Sequence, residues 1–361
     1  MNPQISPVQL PPFYLPMPSM VHPFTAIAQE KSAHFITRFR LYPNEEQRNR
    51  LIAGNCGGGL AGCFAPVGKE ELLQVAADFS MWAFAFDDDY CDEGPTRRQP
   101  IELAVATASM MRAAEAPEFI IDETANYPLA LRDIVLRMGE HTGKEHVERF
   151  VQGLKGWFYV EVLKAGYAAR NIIPNLSDYT YIRLYSGGTM AFVTLPYIIE
   201  ELDMPAWLME DRRIRALTEI AALVADWDTE IYSYPKELHR TSDGFNIVDA
   251  IQHAYHYNVE QALITSMAFR DRAFCRFLRL RDIVLEDKTL QSHIPLLERY
   301  FTGLCQYIRG INDWCTGTLR YTSLDGMGVM PAIQQNGYSN TPSDVSEEPL
   351  PIGCIAWWWH V

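Results

Sequence analysis

The sequence predicts an all-α protein folded as a single domain, and three observations carry that prediction. Apolar residues recur at three- and four-residue spacing through 101–115, 146–170, 206–237 and 245–284. Alternating strand-like runs and Asn-Gly hairpin signals are nearly missing. The breaks are short: Gly54 to Gly62, the stretch 170–178 around Pro174, Gly187-Gly188, and Ser242-Asp243-Gly244. No fixed-period repeat and no shift in composition divides the middle of the chain, so these segments read as roughly ten helices sharing one core.

The ends are different. Residues 1–23 contain no Lys, Arg, Asp or Glu and hold seven prolines, which excludes a helix and leaves an extended strap or a loose arm. The arm is placed at 1–28, the helical domain at 29–321, and an irregular tail rich in Gly, Pro, Ser and Asn at 322–361. Trp357, Trp358 and Trp359 close that tail, as either a docking anchor or an aggregation-prone end.

Composition removes several function classes. The 361 residues are 48% hydrophobic and 21% charged, which is globular rather than disordered. Lys and Arg number 31 against 45 Asp and Glu, a net charge of −14 that offers no basic face to a nucleic-acid backbone. Seven cysteines, an odd number with no CxxC pair, speak against a disulfide scaffold or zinc ribbon. No basic-then-apolar leader is visible, and no apolar run reaches the roughly 18 residues of a membrane span, so a cytoplasmic location is expected. Gly57-Gly58-Gly59 lacks the Lys-Ser/Thr of a phosphate loop and reads as a flexible turn between helices. His253 and His256 have no third ligand placed with them and read as ordinary helix residues.

Chemistry concentrates in two places. In the first, an aromatic-rich helix face (Phe79, Trp82, Phe84, Phe86) runs without a turn signal into Asp87, Asp88, Asp89, Asp92 and Glu93. Three adjacent acids at a helix C-terminus repel one another and oppose the helix dipole, so a helix that tolerates them has cations to hold. Carboxylates one turn apart suit Mg²⁺, which takes oxygen ligands and shares them with substrate phosphates. In the second, Thr229, Ser233 and Glu237 stack three oxygen-bearing side chains along one helical stripe, with Lys236 beside the last. A hydroxyl and a carboxylate on one stripe, next to a cation, would bind a metal and a phosphate oxygen.

An aspartate-rich box followed about 140 residues later by Ile231-Tyr-Ser-Tyr-Pro-Lys-Glu237 resembles the class I terpene synthases (terpene cyclases) of bacteria and fungi. In that family the second box reads Asn/Asp-Asp-x-x-Ser/Thr-x-x-x-Glu. The family's diphosphate-sensing arginine maps to Arg183, 46 residues before Thr229, its linker to Ser186, and its helix-break glycine to Gly187. The family's W-x(5)-RY ending maps to Trp314, Arg320 and Tyr321. Two features depart from the pattern. The first box fits two frames, Asp87-Asp88-x-x-x-Asp92 or Asp88-Asp89-x-x-Asp92, and its Asp-Asp-x-Tyr-Cys-acid form is similar to the methylisoborneol-type branch. The second box has Thr229 where relatives have Asn or Asp, followed by Glu230 for Asp, so metal binding there is weaker or Thr229 ligates through its hydroxyl.

The resemblance implies a class I terpenoid synthase-like helical bundle around a central cavity and Mg²⁺-dependent cyclisation of a prenyl diphosphate. Three Mg²⁺ ions, replaceable by Mn²⁺, would be held by Asp87, Asp88 and Asp92 and by Thr229, Ser233 and Glu237. Arg183, Lys236, Arg320 and Tyr321 would hold the diphosphate. Phe84 and Trp314, with Phe79 and Tyr232 as further candidates, would face the carbocation, and the Gly187 carbonyl would point its dipole at it. On base rate the substrate is farnesyl diphosphate. Geranyl, methylated geranyl and geranylgeranyl diphosphates are the alternatives, as are a chain-elongating prenyltransferase and a non-catalytic isoprenoid-binding protein. A monomer or homodimer without nucleic acid or membrane span is expected.

Overall fold

The computed structural model describes residues 7–42, 44–120, 122–240 and 244–361, the last residue before 241 by its backbone only. In chain order its α-helices are α1 Thr25–Arg38, α2 Glu45–Ala53, α3 Gly58–Phe64, α4 Glu70–Phe86, α5 Pro100–Glu115, α6 Asn126–His141, α7 Lys144–Ala169 and α8 Leu176–Arg183. Then follow α9 Thr189–Phe192, α10 Leu195–Ile199, α11 Ala206–Met209, α12 Arg212–Arg240, α13 Ile247–Tyr255, α14 Val259–Leu285, α15 Ile294–Gly317 and α16 Leu319–Thr322. Eleven of these have eight or more residues, in line with the ten or so expected; the other five are short connectors.

The long α12 is the axis of the bundle. It packs on α14 and α15, while α15 lies on α3, α4 on α1 and α3, and α5 on α7. Its apolar positions from Ile214 to Val224 are buried, as a helix that touches neighbours on most sides requires. Two sequence expectations differ from what is observed here. The apolar pattern 245–284 is two helices, because His256 adopts a left-handed backbone and Asn258 starts α14 with a capping box to Gln261. The run Gly57 to Gly59 is a packing contact more than a flexible turn. Gly58 lies inside α3, where a Cβ would stand 2.1 Å from the Gln29 backbone nitrogen, so only glycine lets α3 meet α1 this closely.

Both chain ends are bound to the bundle. The arm is a strap: β1 (Val8–Leu10) pairs in parallel with β3 (Ile333–Gln335), and β2 (Phe13–Tyr14) with β4 (Tyr338–Ser339). Phe13 stacks on Tyr232 of α12 with ring centroids 4.8 Å apart. The carbonyls of Tyr14 and Met17 accept hydrogen bonds from Arg270 (2.7 Å) and Arg309 (2.9 Å). At the other end the tryptophan run is an anchor. Trp358 is wholly buried and its indole donates to Glu219 at 3.0 Å, while Arg276 holds the carbonyls of Trp358 and Val361. The seven cysteines are all unpaired, and no described helix is long and apolar enough to cross a membrane.

Behind α12, on the side away from the cavity described below, Asp228 and Arg270 form a fully buried ion pair (2.7 and 3.0 Å) completed by Asn312 and Asp271. Asp228→Ala should lower the unfolding free energy by about 3–5 kcal/mol, because it leaves Arg270 buried without its main counter-charge. Trp358→Ala should lower it by a similar ~3–5 kcal/mol through the cavity it opens. Removing Lys144 from its exposed pair with Glu148 should change it by less than about 0.5 kcal/mol. Urea denaturation curves of the three variants check these values.

Candidate active site

Helix α4 delivers the aspartates. Its C-terminal end continues into a π-helical turn, Asp87–Asp92, in which the Glu93 amide bonds the Asp88 carbonyl five residues back. In an α-helix residues five apart point in different directions; the wider π turn brings them toward one face. Asp87 and Asp92 both line the cavity. Asp89 turns away and accepts a hydrogen bond from Tyr127 at 2.9 Å. Of the two frames open from sequence, the cavity wall presents the acids of the first, Asp87, Asp88 and Asp92. Asp88, expected as a ligand beside Asp87, is instead committed to other partners. Arg320 grips both its oxygens (2.9 and 2.7 Å) and Tyr42 donates at 2.5 Å. Burial would raise this carboxyl, but the guanidinium outweighs it and holds Asp88 well below the usual carboxylate range. Asp87 moves the other way: burial lifts it, and the charge of Asp92 adds to the effect.

Across the cavity, α12 presents Thr229, Ser233 and Glu237. Ser233 donates to Glu237 at 2.5 Å, and Asn246 donates to the other Glu237 oxygen at 2.8 Å. The Thr229 hydroxyl is bound to the Asp226 carbonyl at 2.8 Å, within its own helix. Asp226 and Glu230, on the same helix, hold Arg183. Its guanidinium lies 2.9 Å from Glu230 and 3.5 Å from Asp226. Thr189 donates to Asp226, and Tyr179 with the Ile247 amide to Glu230. Burial still pushes Asp226 up to about 6 and Glu230 to about 8, so one arginine does not fully compensate two enclosed acids.

Arg183 ends α8 just before the chain breaks. Gly187 and Gly188 have φ of 69° and 76°, a left-handed backbone that glycine adopts without strain, and Arg183 donates to the Ser186 carbonyl at 3.1 Å. The break is tied to α7 through Glu161, which sequence reasoning missed. One Glu161 oxygen accepts from Trp157 (3.0 Å), Ser186 (2.6 Å) and the Gly187 amide (3.3 Å). The other is buried and accepts no hydrogen bond, and Glu161 belongs to a group with Asp87 and Cys91 whose ligand atoms lie within 4.8 Å of one another. Lys164, one turn along α7, was missed too; it bonds Asp92 at 2.7 Å. The available signal was the pair itself, an acid and a lysine at i, i+3 on a helix whose neighbouring positions are apolar.

Below the charged rim the wall is apolar, made by Leu60, Phe84, Phe192, Tyr307, Ile311 and Trp314. Phe84 and Trp314 are neighbours there, with centroids 5.6 Å apart, and the Arg320 guanidinium lies 4.5 Å over the Phe84 ring. Lys236 sits 5.8 Å from the Tyr321 ring, which is buried at the same rim. Phe79 and Tyr232, the further candidates for facing a cation, are core residues instead. Phe79 packs on Phe150 and Phe192, and Tyr232 stacks on the strap residue Phe13.

Among the described residues the lining carries eight carboxylates against four cationic side chains, and its donors are oxygens. Cys91 stays a thiol, since burial first and then the charges of Glu161 and Asp87 raise it well above its ordinary value. An oxygen-rich, under-neutralised wall, with the buried and unbonded Glu161 oxygen close to Asp87 behind it, fits hard divalent cations and not soft ones. Asp87 and Asp92 on one side, and Ser233 and Glu237 with Thr229 on the other, line the cavity and could hold them.

Three comparisons point the same way. A sequence family described as "Terpene synthase family 2, C-terminal metal binding" matches residues 78–272. The chain is 33% identical to (+)-(1(10)E,4E,6S,7R)-germacradien-6-ol synthase of Streptomyces pratensis, over 99% of both chains. It is 27% identical to (+)-T-muurolol synthase ((2E,6E)-farnesyl diphosphate cyclizing) of Streptomyces clavuligerus, over 97% of this chain and 82% of that one. Among solved structures, the SVS_A2 protein from ancestral sequence reconstruction superposes with a TM-score of 0.83 at 30% identity, covering 98% of this chain and 99% of that one.

The turn geometry separates the aspartates experimentally. In the presence of inorganic pyrophosphate, Asp87→Asn and Asp92→Asn should each weaken Mn²⁺ binding by at least about tenfold. Asp89→Asn, whose side chain faces Tyr127, should change it by less than about twofold. Paramagnetic resonance of free Mn²⁺ reads the difference, and equal losses at all three positions would contradict the assigned frame.

Proposed function

The chain belongs to the terpene synthases, lyases acting on prenyl diphosphates, and we propose that it ionises and cyclises farnesyl diphosphate to a terpene hydrocarbon or alcohol, releasing diphosphate. The observation that carries this reading is a single cavity with two unlike halves. Its rim gathers Asp87, Asp92, Ser233, Glu237 and four cationic side chains; its floor is aromatic and aliphatic. The relative from Streptomyces clavuligerus that cyclises (2E,6E)-farnesyl diphosphate supports the choice of chain length.

The division of labour follows from the side chains. Arg183, Lys236, Arg320 and Tyr321 line the rim and would take the diphosphate through charge-assisted hydrogen bonds. Three Mg²⁺ ions, when bound, supply Lewis-acid stabilisation of the departing diphosphate. Phe84 and Trp314 present ring faces to the allylic cation, worth about 0.5–2 kcal/mol each or more once water is excluded. The apolar wall keeps water from quenching that cation early. Gly187 sits at the break in the α8–α9 connection, where its carbonyl has no place in a continuous helix and its dipole is available to the cation.

The protein incubated with Mg²⁺ and farnesyl diphosphate should release diphosphate and give a cyclic fifteen-carbon product by gas chromatography and mass spectrometry. Geranyl and geranylgeranyl diphosphates in parallel test the chain length. Release from the twenty-carbon substrate alone would move the assignment, and release from none of the three would refute it.

A further inference from the structure

Lys164 lies on the metal side of the cavity and is not among the residues assigned to the diphosphate. Its ammonium is 2.7 Å from Asp92 and 3.6 Å from the otherwise unbonded oxygen of Glu161, with only 11% of its side chain exposed. Asp87 adjoins the same Glu161, so three carboxylates converge on this region. The other rim cations make their closest described contacts elsewhere, although the charge of Lys236 also reaches Asp92. Arg183 is held by Asp226 and Glu230, Arg320 by Asp88, and Lys236 lies beside Tyr321.

We propose that Lys164 stands in for a metal ion on Asp92 when the site is unliganded, and passes from Asp92 to the substrate diphosphate as metal loads. It thereby makes metal binding and diphosphate binding depend on one another. This rests on the reading of the cavity as the metal and diphosphate site. An ammonium bonded to Asp92 and a divalent cation on the same carboxylate repel each other, so metal alone must expel the ammonium. Displaced from Asp92, the largely enclosed ammonium gives up its 2.7 Å partner and keeps the more distant Glu161, 3.6 Å away, which is unfavourable. Diphosphate removes that obstacle, because its oxygens give the displaced ammonium a new charge-assisted partner inside the same cavity. The coupling is reciprocal by linkage: what diphosphate does for metal, metal does for diphosphate. Lys164 acts here as a positioning residue, since its effect reaches the reaction through the occupancy of Asp92.

The test is a set of binding titrations with Mn²⁺ and inorganic pyrophosphate, each alone and together, on the wild-type protein, Lys164→Gln and Lys164→Arg. The wild type should bind Mn²⁺ weakly alone and at least about tenfold more tightly with pyrophosphate. In Lys164→Gln, Mn²⁺ alone should bind about tenfold more tightly than to wild type, and the gain from pyrophosphate should fall below about threefold. Lys164→Arg keeps the charge and should keep the coupling. Wild-type coupling in Lys164→Gln would overturn the proposal, as would equal loss of coupling in both variants, which would mark a merely structural lysine. A wild-type protein that binds neither Mn²⁺ nor pyrophosphate would instead refute the reading of the cavity itself. Thermal melts show whether each variant is folded, and if Lys164→Gln is not, Asp92→Asn serves in its place: by freeing the lysine it should tighten pyrophosphate binding without metal, and no such gain would count against the proposal.

Discussion

Like charges crowded into an enclosed cavity must be matched or kept apart, and the rest of this structure is arranged around that constraint. The rim has twice as many carboxylates as cations. Three of the described matches join segments far apart in the chain. Arg320 reaches Asp88 across 232 residues, Lys164 reaches Asp92 across 72, and Arg183 bridges α8 to α12. Closing the bundle and assembling the site are therefore one event. The elevated carboxyls of Asp226, Glu230 and Asp87 show where matching is incomplete. That residual imbalance is what a metal-dependent site requires, since it is satisfied only when cations arrive.

Helix α12 carries this imbalance on one face and a closed ion pair on the other. Asp228 is one residue from Thr229, yet it points into the core, where Arg270 and Asn312 take both of its oxygens. Arg270 in turn holds the strap through the Tyr14 carbonyl. The strap lies against the back of the helix that faces the cavity, so the position of Ser233 and Glu237 depends on packing contributed by both chain ends.

Much of this was legible in the sequence, for identifiable reasons. Apolar periodicity reveals a helix because the core faces one side of it, and oxygen ligands at helical spacing reveal a metal site because coordination demands convergence. Periodicity failed at His256 to Asn258 because the cap sits between two helices whose apolar faces happen to be in phase. It also failed to separate Phe84 from Phe79, since both lie on apolar faces of one helix and only the neighbouring helices decide which face is wet. Asp88 could not be distinguished from Asp87 by composition, because its arginine arrives from α16. Glu161 was hidden for the opposite reason: an acid whose only charged neighbour on an apolar helix face is Lys164 forms no cluster of acids to notice, although its contacts to Ser186 and the Gly187 amide tie the helix break to α7.

The π-helical turn at Asp87–Asp92 has a consequence for how such proteins are recognised and altered. One additional residue between two metal-facing acids would swing the second out of reach in a regular helix. Here the widened turn takes up the extra residue and returns the second acid to the working face. The quantity that the chemistry fixes is direction, not the count of intervening residues. A pattern search that counts positions also accepts Asp88-Asp89-x-x-Asp92, whereas one that asks which acids share a face pairs Asp92 with Asp87 and leaves Asp89 out. Deleting a single residue from the turn is accordingly a change of phase for everything downstream of it, beginning with Glu93, more than a local shortening.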